Sequence, residues 1–178
     1  MADLVTHIGL AWAAGRAAGC LREIPSRAVY LFAAGAALPD LLARAPHLAL
    51  RSAAVRTVTV GLHTPICLVF ACLSLSFLFE ERRRARVFLA LFAGALFHCF
   101  TDGFQQAWPG SYHWLYPLAA WSPQVEGYSG RTSVLYAPIV LGAALAAEAL
   151  WRISRRRRGG GEAGRIGGDP LPEDPHSI

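Results

Sequence analysis

His98 and Asp102 stand four residues apart in the stretch FHCFTD. On a helix this spacing puts both side chains on one face, about 6 Å apart along the axis. An imidazole and a carboxylate so placed can share one metal ion, or can form a hydrogen-bonded pair that ties two helices together. Three more ionisable side chains sit in apolar surroundings: His7 in VTHIG, Asp40 after Pro39 in ALPD, and His63 in GLHTP. Singly, His63 reads as a satisfied core histidine or a ligand, and Asp40 as a helix-end residue or a ligand. Together, three His and two Asp are ligand types that Zn²⁺ accepts, in numbers that suit one or two ions. Zinc lowers the pKa of a bound water towards 7 and makes it a nucleophile. A carboxylate left off the metal can serve as general base, and Asp40 is the candidate.

The elements that carry these residues are apolar. Residues 62–79 contain no charge, nor do residues 87–101, and 132–147 is nearly as apolar. A membrane span needs roughly 20 mostly apolar residues, so these stretches predict three spans. Helical segments are expected over residues 4–20, 28–42, 58–79, 87–106 and 133–153. The first two are short for spans, and Arg16 interrupts the first. The fold class is therefore all-α, an integral membrane bundle of about five helices over residues 1–158. Residues 159–178, rich in Gly, Pro and acidic groups, read as a disordered tail. The stretch 107–131 is polar and aromatic and is expected at the headgroup layer.

Charge supplies orientation. Only 16% of the chain is charged, against about 25% in a typical soluble domain, and every basic residue other than histidine is arginine. Arg82–Arg84 with Arg86, and Arg155–Arg158, directly flank apolar helices. There they read as a topology signal rather than a nucleic-acid surface, and both clusters are expected to be cytoplasmic. The N-terminal stretch predicts no cleavable signal. Cys20, Cys67, Cys72 and Cys99 form no CxxC pair and read as buried thiols. Counted inwards at about 1.5 Å per residue, Asp40, His7, Asp102, His63 and His98 all fall within about 12 Å of the outer helix ends. An Asp at a helix centre costs about 2.5–3.5 kcal/mol on insertion scales, which favours one shared site over five unrelated residues. Glu148 is expected to pair with Arg152, one turn on. His113 and Glu126, in the aromatic stretch, either complete a site or bind headgroups, and His47 reads as a loop residue.

The order of VTHIG, ALPDLL, GLHTPI and FHCFTDG over residues 5–104 resembles the YdjM-like family of inner-membrane proteins, described as metal-dependent hydrolases. It is also similar to the motif order of the zinc-dependent phospholipase C and P1 nuclease group of all-helical phosphoesterases. The resemblance implies His7, Asp40, His63, His98 and Asp102 as metal-site positions. His63, His98 and Asp102 would hold one zinc, with Asp40 beside it as ligand or base. Asp102 would bridge to a second ion held by His7. Two departures stand out: Leu41–Leu42 follow the PD pair, and no later HxxxE supplies a third zinc, since Tyr116–Pro117 follow His113.

The leading expectation is a membrane-embedded metal-dependent hydrolase, acting on a phosphoester of a lipid or other amphiphile near the outer face of the inner membrane. Two other classes stay open. One is a non-enzymatic bundle or partner subunit with a structural His–Asp network; the other is an ion-coupled transporter, since buried carboxylates also mark ion pathways.

Overall fold

The computed structural model describes residues 4–22, 24–50, 61–104 and 130–166, and every regular element among them is helical. The helices are α1 (Leu4–Leu21), α2 (Ser26–Leu50), α3 (Pro65–Ser76), α4 (Glu81–Asp102) and α5 (Gly130–Ile166). They pack in the order α5, α1, α2, α4, α3. Contacts along the helices give their directions. Arg16 meets Glu148, and Cys20 meets Ser154, so α1 and α5 run parallel. Trp12 meets Tyr30 and Arg16 meets Ser26, so α2 runs against α1. In α4, Gly94 lies at Phe32 and His98 at Ala36, so α2 and α4 also run parallel.

Two stretches, Glu81–Asp102 and Leu135–Arg156, are long and apolar enough to cross a membrane. The third expected span, over residues 58–79, is described as the 12-residue α3, about 18 Å at 1.5 Å per residue. Its start is fixed by local chemistry. Thr64 adopts an extended N-cap conformation and its hydroxyl oxygen accepts from the Cys67 N–H, while Pro65 occupies the first helical turn, where its missing donor costs nothing. The Thr64 hydroxyl also donates to the Gly61 carbonyl at 2.8 Å. Helix α2 is longer than expected because Pro39 and Pro46 are accommodated inside it; His47 consequently lies in a helix rather than a loop. Helix α5 runs on past Arg158 to Ile166. Residues 167–178, and the aromatic stretch with His113 and Glu126, lie outside the described residues.

Small residues set how closely the helices approach. A Cβ on Gly94 would collide with the Phe32 carbonyl oxygen, and one on Gly35 with the Leu91 carbonyl oxygen. The α2–α4 crossing is thus a backbone-to-backbone contact that glycine alone permits, the kind of contact found where membrane helices associate. Next to it lies a core of Leu68, Cys72, Val87, Leu91, Ala95 and Cys99, contributed by α3 and α4. All four cysteines are free thiols; Cys72 and Cys99 are buried, while Cys20 and Cys67 are partly covered.

The outward faces are apolar. On α5, Leu135, Ile139, Leu141, Leu145, Leu150 and Ile153 are exposed, and on α4 so are Leu89, Leu96 and Phe100. Large apolar side chains exposed along two helices that are long and apolar enough to span suit a lipid-facing surface.

A buried arginine lies among the helices. Arg16, in α1, is 1% exposed. Its Nε lies 2.6 Å from Glu148 Oε2 in α5. The guanidinium stacks on the rings of Trp151 at 3.9 Å, Trp12 at 4.7 Å and Tyr30 at 5.7 Å. Its Nη1 donates to Ser26. Glu148 also receives the expected Arg152 contact, at 2.8 Å. Arginine suits this place because its flat cation combines ring stacking with a close ion pair.

Candidate metal centre

Five polar side chains from four parts of the chain meet at the end of the bundle opposite Arg16. Helix α1 supplies His7, α2 supplies Asp40, and α4 supplies His98 and Asp102. His63 comes from the turn before α3 rather than from inside a helix. Pro39 withholds a backbone N–H in the turn just before Asp40, which loosens α2 where it enters the cluster. The Cys99 thiol lies 3.8 Å from the His63 carbonyl oxygen and ties that turn to α4.

Asp102 is the hub. Its Oδ1 lies 3.1 Å from His7 Nε2, and its Oδ2 lies 3.2 Å from His98 Nε2 and 3.8 Å from His63 Nε2. Asp40 Oδ1 is 3.9 Å from His63 Nε2. His7, Asp40, His98 and Asp102 are all buried. The rings of His7 and His98 lie 4.0 Å apart between centroids, and those of His63 and His98 5.4 Å apart. All five residues named from the sequence are therefore neighbours in space.

Hydrogen bonds on the far side of two imidazoles decide which ring nitrogen faces the cluster. His98 Nδ1 lies 2.7 Å from the Ala36 carbonyl oxygen. A carbonyl only accepts, so His98 Nδ1 carries the proton. His7 Nδ1 lies 2.8 Å from Thr101 Oγ1, whose own proton goes to the His98 carbonyl oxygen at 2.8 Å. The His7 Nδ1 is then also a donor. In their neutral forms both rings present the Nε2 lone pair to one carboxylate. A lone pair aimed at an anion about 3 Å away is repulsive unless a cation or a proton lies between them. His98 Nε2 has no directed hydrogen bond to any group.

This donor set is one that could hold a cation. Two ligands each about 2.1 Å from a tetrahedral ion stand about 3.4 Å apart, close to the contacts around Asp102. Two triads have ligand atoms within 4.8 Å of one another: His7, His98 and Asp102, and Asp40, His63 and His98. The resemblance divides the residues differently, with Asp102 as the bridge; in the structure His98 is the member common to both triads. Either division accommodates one or two ions, and the buried His/Asp groups can hold a metal.

Two contributors were not singled out from the sequence. Thr101 and the Ala36 carbonyl are the outer partners that orient His7 and His98, the role such groups play around metal-bound histidines. Thr101 lies inside FHCFTDG and was open to detection as the hydroxyl one residue before the hub. Ala36 acts through its backbone and leaves no mark in side-chain types. Thr101→Val keeps the shape and removes the acceptor. It is expected to weaken metal binding by about 10–100-fold, read by competition with a chromogenic chelator, while Thr101→Ser retains most of the affinity.

No curated protein and no solved structure matches the chain. A family model does: it covers residues 1–164 and takes in all five cluster residues, both apolar spans and the Arg16–Glu148 pair. The chain belongs to the YdjM inner membrane protein family.

Proposed function

We propose that this protein is a membrane-embedded, metal-dependent hydrolase that cleaves a phosphoester in a lipid or another amphiphile. One observation carries the proposal: His7 and His98 each anchor Nδ1–H on an oxygen and turn Nε2 towards the same buried carboxylate. A bundle held together only by hydrogen bonds would gain nothing from directing two lone pairs at one anion. Under this reading His7, His98 and Asp102 hold a divalent cation, most simply Zn²⁺, with His63 and Asp40 completing its shell or holding a second ion. Such a cation supplies Lewis-acid polarisation of a phosphoryl oxygen and acidification of a water.

The chain's own residues supply the rest. Asp40 stands at the edge of the cluster, 3.9 Å from His63 Nε2, and is the base that takes a proton from the attacking water. Apolar walls around the cluster exclude bulk solvent, which strengthens every charge interaction inside. Arg22, Arg27, Arg82–Arg84, Arg86, Arg152, Arg155 and Arg156 lie towards the opposite end, against Arg44 one turn beyond Asp40 and Arg51 and Arg56 after it in the sequence, and under the positive-inside rule that excess favours a cluster facing outwards. An amphiphile can present its head there while its tails stay in the bilayer.

The test is elemental analysis of detergent-purified protein together with release of a phosphorylated headgroup from a phospholipid substrate. Near-stoichiometric zinc, manganese or iron with metal-dependent cleavage is the expected result. A folded chain with no bound metal would overturn the proposal. Bound metal without cleavage of any phosphoester would leave a metal-binding bundle and refute the hydrolase.

A further inference from the structure

A cavity of about 400 Å³ opens on the flank of the bundle, away from the His–Asp cluster. Its walls are Ala14, Gly15 and Ala18 of α1, Ile24, Ala28, Val29 and Phe32 from α2 and the turn before it, and Ala90 of α4. The cavity exists because α1 and α4 meet at His7 and His98 and separate below them, leaving α2 as the floor. From the cluster it lies eight residues along each of three helices, His7 to Gly15, Asp40 back to Phe32 and His98 back to Ala90, or about 12 Å. The space would take about a dozen waters by volume, yet every lining side chain is hydrocarbon or, at Gly15, a hydrogen. Water there would have no side-chain group to bond, so hydrocarbon is the favoured filling.

The end of the cavity away from the cluster is cationic. Arg22 lies one turn beyond Ala18, and its N–H still bonds the Ala18 carbonyl at 2.9 Å, so it continues the same helical face. Arg86 lies one turn before Ala90 on α4, which runs the opposite way, and so it reaches the same end. Arg27 adjoins Ala28. All three arginines are exposed. An apolar slot whose lining is continued by Arg22, Arg27 and Arg86, each within a turn of a lining residue, is complementary to an acyl chain bearing an anionic phosphate.

We propose that the α1–α2–α4 groove is a binding site for one anionic phospholipid, with an acyl chain against Gly15, Val29 and Phe32 and the phosphate held by Arg22 and Arg86. The site is separate from the metal centre and does not depend on its chemistry.

Native mass spectrometry of the full chain tests this. The protein is released from micelles that contain phosphatidylglycerol and phosphatidylcholine with identical acyl chains. One phosphatidylglycerol per chain is expected to be retained in preference to phosphatidylcholine. Arg22→Gln with Arg86→Gln, both at exposed positions, is expected to reduce that preference on the order of 20-fold. Ala28→Phe fills the slot and is expected to reduce retention of both lipids; Ala18→Leu does the same with a smaller side chain and guards against misfolding of the first variant. Absence of any preference for phosphatidylglycerol overturns the proposal. So does a preference that survives filling the slot, because the arginines would then act only as a diffuse surface belt.

Discussion

Asp102→Asn is expected to abolish tight metal binding, lowering affinity by more than about 100-fold, beyond the range typical of outer-shell changes. It is also expected to eliminate any metal-dependent hydrolysis, yet to leave the metal-free fold nearly as stable as before. Asparagine has the shape of aspartate but no charge, and its amide can donate to one of the two Nε2 lone pairs that the carboxylate faces. Helices α1 and α4 thus keep a contact through residue 102. The measurement is thermal unfolding in detergent with and without a chelator. A ligand present at 100 times its dissociation constant stabilises the folded state by about 2.7 kcal/mol, so chelation lowers the wild-type midpoint and leaves that of the variant unmoved. A purely structural network behaves in the opposite way. If His7 and His98 were both protonated and Asp102 their counter-charge, removing that charge would strand two buried cations. The loss would be about 3–5 kcal/mol without any metal. A variant that unfolds readily, from a parent indifferent to chelator, would refute the metal site.

Gly94→Ala is the second large effect. The added methyl meets the Phe32 carbonyl oxygen, a backbone atom that cannot rotate away, so α4 must move off α2. Overpacking of this sort costs about 1–3 kcal/mol and sometimes more; a backbone collision belongs at the upper end. The shift also separates His98 from the Ala36 carbonyl, one turn along the same interface. Gly94→Ala is therefore expected to lower the unfolding midpoint and the metal affinity together. Gly142→Ala, at a glycine with open space around it, should change neither. Equal effects from the two substitutions would show that the α2–α4 crossing is not close-packed in the way described.

How much of this was legible in the sequence depends on whether the signal was local. The five cluster residues could be named because ionisable side chains in apolar helices are costly, and their common depth could be counted from the helix ends. Helix α4 was legible from its uncharged run, although its start lies six residues earlier, inside the arginine-rich segment, which forms helix as readily as loop. The length of α3 was not, because the Thr64–Pro65 cap interrupts a hydropathy run that looks continuous. Neither was the full extent of α2, since Pro39 and Pro46 read as breakers until neighbouring helices are seen to support them. The partner of Arg16 lies more than a hundred residues away, so only Arg152, one turn from Glu148, could be read as its counter-ion. Tautomers were beyond reach altogether, because they depend on where the Ala36 carbonyl falls after α2 and α4 cross.

Pairing between Arg16 and Glu148 also bears on how the chain is built during synthesis. Helix α1 is made well before α5, yet in the finished bundle the two are immediate neighbours and share a charge pair. Until α5 arrives, α1 carries an arginine whose insertion alone costs about 2.5–3.5 kcal/mol, with its counter-ion not yet translated. Helix α1 is consequently a poor stand-alone membrane anchor, and the much later α5 completes its burial. Biogenesis of this protein should then be all-or-none with respect to its C-terminal helix: chains truncated before Glu148 are left with an unneutralised arginine in their first helix, the sort of defect by which membrane quality control can recognise an unfinished product.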